Sequence, residues 1–141
     1  MTHSTRIDHA ALLLRLSLGL LFIAHGLTKL LVFTPEGTAG FFESVGFPGT
    51  LAYPVMLAEI FGGAALITGF ATRIVALVLL PLMLGATSVH FGNGWAFANP
   101  NGGWEFPAFW TVTLIVQALL GSGSFALTAN RPEDGQPALT A

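Results

Sequence analysis

A run of apolar residues from about Ala10 to Phe33 constrains this chain most, because it is long enough to cross a bilayer as a helix. Its middle reads RLSLGLLFIAHGLTK and carries Arg15, His25 and Lys29, which are costly on a lipid-facing helix. At about 100° per residue, Gly26 and Lys29 fall near Arg15 around the helix, Gly19 joins them, and His25 lies slightly further round. One narrow face is charged or small; the rest is Leu, Ile and Phe. Ionisable groups within a membrane point into a bundle or a wet cavity, so this stripe is expected to face other helices.

Composition supports a membrane class. Hydrophobic residues make up 53% of the chain and charged residues 9%, against roughly 25% charged in soluble domains. The net charge of −2 gives no reason to expect nucleic acid as a partner. The chain has no cysteine, which excludes disulfides, thiol chemistry and Cys-ligated metal sites, and no other metal site is expected. A redox role would use a bound molecule or a partner's cofactor. The first run does not resemble a cleavable signal peptide, since it is long, contains Arg15 and Lys29, and lacks a small-x-small cleavage site.

Four membrane helices are expected, at about 10–33, 51–70, 74–91 and 107–125, within a domain spanning 10–129. Residues 1–9 form a polar leader, and 130–141 a polar, Pro-containing tail expected to be disordered. Thr34–Thr50 reads as a loop whose Phe41, Phe42 and Phe47 suit a short interfacial segment. Pro81 is expected to kink the third helix or open a gap in its backbone. Arg6, Arg73 and Arg131 fall on one side, while the loops Thr34–Thr50 and Gly92–Phe106 contain no Lys or Arg. The positive-inside rule therefore places both termini in the cytoplasm, in a multi-pass inner-membrane protein. Trp95, Trp104 and Trp110 would then form an aromatic belt at the outer interface.

This topology delivers His25, Lys29, Glu59, His90 and Glu105 to the outer half of one bundle, with Arg15 in the inner half and Gln117 mid-way along the fourth helix. An unpaired charge at mid-membrane costs at least ~2.5–3.5 kcal/mol, so Glu59 needs a cation or a proton, and Lys29 is the foremost partner, with His25 second. Gly62, Gly63, Ala64 and Ala65 permit a close helix approach there. Plainer roles compete. Arg15 and Lys29 could snorkel to headgroups, the tryptophans could be anchors, and Gln117 could tie helices together. A Glu59–Lys29 bridge could serve structure alone.

Arg15, His25-Gly26-x-x-Lys29, Glu59 followed by glycines, and the turn Gly69-Phe70-Ala71-Thr72-Arg73 together resemble the DoxX family, over roughly Leu12 to Ser124. The resemblance implies a small four-helix bacterial or archaeal membrane protein. In that family some members are linked to a thiosulfate:quinone oxidoreductase, and others to thiol, oxidative-stress, quinone or catechol responses. Where members use a thiol partner, this chain offers no cysteine of its own.

Three functions follow as expectations. In quinone-linked redox chemistry, His25 and Lys29 would donate to a quinone carbonyl, and Glu59 would relay a proton. Arg15, His90, Trp104, Glu105 and Gln117 would contribute to binding, Trp104 or Phe106 would pack on the ring, and a partner would supply electrons. Haem is a weaker variant: His25 and His90 could be axial ligands, but Lys29 and Glu59 crowd them. Alternatively the chain transports a small polar molecule as a homo-oligomer, or anchors a soluble or membrane redox partner without catalysis.

Overall fold

The apolar runs fold as helices in the computed structural model, which describes residues 2–128. The tail 130–141, and Arg131 with it, lie outside the described residues. Helix α1 covers His3–Leu27 and continues as a π turn over Thr28–Val32; α2 is Pro35–Ser44, α3 Ala52–Thr68, α4 Thr72–His90 and α5 Glu105–Leu120. No strand occurs among the described residues.

Several boundaries differ from expectation for local reasons. Helix α1 starts at His3 rather than near Ala10, because the Thr2 hydroxyl caps it by accepting the Thr5 N–H at 3.3 Å. The Thr34–Thr50 stretch is largely helical, since Thr34 caps α2 through the Gly37 N–H at 3.2 Å and Pro35 occupies its first turn. Helix α5 stops at Leu120, well short of residue 125, where Gly121 turns to a φ of 76°. Helix α4 runs on through Pro81, leaving the Leu77 carbonyl without an i+4 N–H donor.

The polarity of the molecule is inverted relative to a water-soluble protein. Arg15, Glu59, Thr72 and Gln117 are buried, whereas Leu13, Phe61, Ile74 and Leu119 are all more than half exposed. His3–Val32, Gly49–Thr68 and Thr72–Asn93 are long and apolar enough to cross a membrane. Helix α5 is apolar and shorter, at 16 residues. Charge inside and hydrocarbon outside mark a membrane protein.

Helix α1 packs along α3 and α4 along α5, and contacts between α3 and α4 and between α1 and α5 close the ring. The α1–α3 approach is backbone-close. A Cβ at Gly19 would lie 2.6 Å from the Gly63 carbonyl oxygen, and a Cβ at Gly63 would lie 2.7 Å from that of Gly19. Gly62, on the neighbouring face, instead seats Leu79 of α4. Leu18, Phe22, Leu66, Leu79, Met83, Trp110 and Leu114 fill the centre.

At the end holding the N-terminus, every carbonyl left free by the end of α3 finds a donor. Phe70 N–H reaches Ala65 O at 2.9 Å, and Gly69 N–H reaches Leu66 O at 3.1 Å. The Arg15 guanidinium donates to Leu66 O and Ile67 O, and Leu127 N–H donates to Thr68 O. Arg15 also donates to Phe125 O, so the segment after α5 is strapped across the α3–α4 turn. At 2% exposed, Arg15 does not snorkel. In that turn Gly69 has φ +73° with Ala126 against it, which no other residue tolerates well, and Ala71 is held at φ 44° by the Thr128 hydroxyl accepting its N–H at 2.8 Å.

The glycine seam predicts a position-specific loss of stability. Gly63→Val should destabilise the protein by about 1–3 kcal/mol, through overpacking against the Gly19 backbone. Gly40→Ala, where an added Cβ meets nothing within 4 Å, should change little. Thermal unfolding in detergent measures both, and equal midpoints would refute the backbone-close seam.

Candidate functional site

Away from the Arg15 end, the bundle encloses a cavity of about 690 Å³. Helix α1 and its π turn supply His25 and Lys29, α3 supplies Val55 and Glu59, and α4 supplies Pro81, Gly85 and His90. Phe41 and Phe42 of α2 and Phe106 and Trp110 of α5 complete an almost wholly apolar lining.

Lys29 and Glu59 form the charged wall. The ammonium nitrogen lies 2.8 Å from both carboxylate oxygens, with side chains 21% and 8% exposed. Gly26 makes this pairing possible: a Cβ there would sit 3.1 Å from the Glu59 Cβ and 2.7 Å from Ile60. The backbone at Lys29 is locally widened. Phe33 N–H reaches back to Thr28 O at 3.0 Å, an i to i+5 bond, and Thr28 N–H is shared between Ala24 O and His25 O. The Thr38 hydroxyl of α2 donates to Lys29 O at 3.2 Å, tying α2 to the same turn.

The histidines differ in setting. His25 stands edge-on to Trp110, with centroids 5.0 Å apart, and lies nearly parallel to Phe106 at 6.3 Å. His90 Nδ1 faces the carbonyl oxygens of Asn101 and Gly102 at 3.0 and 3.1 Å, so that nitrogen donates to the loop. Trp110 is 3% exposed, and its indole N–H has no hydrogen-bond partner. A buried donor left free in a cavity wall is available to an acceptor.

Of the residues singled out from sequence, His25, Lys29, Glu59 and His90 meet at this cavity. Phe106 and Trp110 line it too, whereas Arg15, Trp104, Glu105 and Gln117 do not. Arg15 serves the opposite end of the bundle. Gln117, fully buried, donates from Nε2 to Gly121 O at 2.8 Å at the foot of its own helix. Trp104 stacks on Phe91 at 5.5 Å and meets Trp95 edge-on at 4.6 Å. Glu105 accepts the Phe97 N–H at 2.7 Å, closing the α4–α5 loop and holding Phe97 over the cavity. Trp110 belongs to the core and not to an interfacial belt. Its role was signalled by spacing, since Pro107, Trp110, Thr111, Leu114 and Gln117 recur every three to four residues and form the buried face of α5.

The DoxX family profile matches residues 10–92. The chain belongs to the DoxX family. It is 37% identical over 116 residues to the Bacillus subtilis protein named "Putative oxidoreductase CatD", covering 82% of each chain. It is 29% identical over 122 residues to the Escherichia coli "Inner membrane protein YqjF", covering 85% of this chain and 90% of that one. No solved structure matches it significantly. Arg15, the His25–Lys29 stretch, Glu59 and His90 all fall within the matched region, whereas α5 with Trp110 lies beyond it.

The ion pair should behave as a coupled unit. Lys29→Met strands a carboxylate that is 6% exposed, while Glu59→Gln leaves a longer, more exposed ammonium, so Lys29→Met should destabilise more. The double variant should recover about 0.5–3 kcal/mol relative to the sum of the singles. Thermal unfolding of the four proteins in detergent closes the cycle; strict additivity would contradict coupling.

Proposed function

We propose that this protein is a multi-pass inner-membrane component of quinone-linked redox chemistry, with the quinone ring as the occupant of the cavity. The observation that carries this reading is the setting of the Lys29–Glu59 pair: hydrogen-bonding ionic groups in the wall of a cavity otherwise lined by aromatic and aliphatic side chains. A quinone needs that combination: an apolar slot for the ring, donors for its two carbonyls and a proton source on reduction. The relative named as an oxidoreductase supports the redox class, and the one named as an inner-membrane protein supports the location.

In this reading the Lys29 ammonium and the free Trp110 indole N–H donate to the quinone oxygens, and Phe106 packs on the ring. Reduction to the hydroquinone takes two electrons and two protons. The electrons come from a reduced redox partner, since the chain has no cysteine to supply them. Glu59 passes protons through Lys29, and His90 is a second proton relay at the loop-covered end. Arg6 in the first turn of α1 and Arg73 in that of α4 both lie at the Arg15 end, which supports a cytoplasmic position for that end and, in this reading, a cavity on the outer side.

Quinone titration of the purified protein in detergent, run beside Glu59→Gln, tests this. Saturable binding that weakens by about tenfold, or 1.4 kcal/mol, in the variant is expected. Absence of binding to a folded wild-type protein would overturn it and leave a non-catalytic anchoring subunit as the better reading.

A further inference from the structure

The cavity is not sealed within the ring of helices. Its lining includes Val55 on α3, Leu51 in the turn just before it, and Pro81, Gly85 and Val89 on the adjacent α4. Nearer the Arg15 end these helices touch, where Gly62 seats Leu79. Further along α4, Gly85 lies on the side of the exposed Val78, and a Cβ built there meets nothing within 4 Å. Pro81, in the middle of α4, is exposed while lining the cavity, and at that depth an exposed surface faces lipid. Leu57 and Val78, exposed at 55% and 59%, are lipid-facing neighbours on the same two helices. The polar atoms lie elsewhere in the lining, at Lys29, Glu59 and His90 and beneath the loop at Asn101.

We propose that the gap between the α2-side halves of α3 and α4 is a lateral portal from the bilayer, and that the cavity takes a lipid-borne amphiphile whose aliphatic tail leaves through it past Gly85. For the identity of the head group this rests on the quinone reading above, and it makes the substrate a long-tailed membrane quinone rather than a water-soluble one. A cavity of about 690 Å³ lies in the range that encloses a drug-sized molecule, larger than a bare quinone ring. Phe41 and Phe42 of α2 also line the space.

The test uses Gly85→Leu, at a position where an added Cβ meets nothing within 4 Å, in the purified full chain. Quinones with one head group, bearing either no tail or two isoprene units, are titrated into wild type and variant. Wild type should bind the tailed quinone at least tenfold more tightly, and Gly85→Leu should collapse that ratio towards one. An unchanged ratio in the variant, or no tail preference in wild type, overturns the portal. A second readout is independent of quinones. In the Trp95→Phe/Trp104→Phe background Trp110 is the sole tryptophan, and the protein is reconstituted in vesicles of phosphatidylcholine brominated mid-chain. Acyl chains entering the portal should quench Trp110, and Gly85→Leu should relieve the quenching. If neither quinone binds, the head-group reading fails while relieved quenching still upholds the portal; quenching untouched by Gly85→Leu refutes the portal itself.

Discussion

The close approach of α1 and α3 is the constraint on which the other features depend. Gly19 and Gly63 bring the two backbones together at the centre of the seam, and Gly26 keeps them close where Glu59 sits. With a side chain at either central glycine the helices would stand further apart, and Arg15 and Lys29 would lose their partners on α3. Within lipid the hydrophobic effect contributes little to holding helices together, so contact, hydrogen bonds and ion pairs must do so. The seam uses all three along one stripe of α1.

That stripe carries two cations that meet opposite solutions to the same problem. Arg15 has a planar, forked guanidinium, and it is matched to fixed backbone dipoles: two carbonyls ending α3 and one from the strap after α5. No carboxylate pairs with it among the described residues. Such an arrangement has no mobile partner and acts as a rigid clamp. Lys29 has a flexible stem and pairs with a carboxylate in the wall of a cavity. The clamp end is fully packed, and the Lys29 end is spacious, so the same helix is anchored at one end and adaptable at the other.

Much of this was legible in the sequence because it follows from helical periodicity and from the cost of buried charge. The cost of charge in lipid favoured an inward-facing stripe of Arg15, Gly19, Gly26 and Lys29 over snorkelling, and Glu59 had few cations to choose from. The interior role of Trp110 was legible too, but only through the period of α5 rather than through the preference of tryptophan for interfaces. Other features left no such trace. The π turn at Lys29 depends on how α1 ends against α2, and TKLLV contains nothing that marks it. Arg15 as a clamp depends on where the segment after α5 returns, a contact 110 residues away in the chain. Glu105 looked like a site residue because it is acidic and near the bundle, whereas its neighbour in space is a loop N–H.

The uneven packing of the ring explains why open space occurs where it does. A close glycine contact on one helix pair leaves the adjacent pairs to accommodate the remaining side-chain volume. Helix α3 turns its small residues in two directions, Gly63 toward α1 and Gly62 toward Leu79 of α4, whereas a side chain at Gly85, further along α4, would meet no neighbour at its Cβ. A larger residue at Gly85 would occupy the open space beside the cavity. Glycine there contributes nothing to packing and is unfavourable in a helix interior by roughly 0.5–1 kcal/mol relative to alanine. The residue that weakens α4 is thus the one that keeps the cavity open beside the Lys29–Glu59 pair.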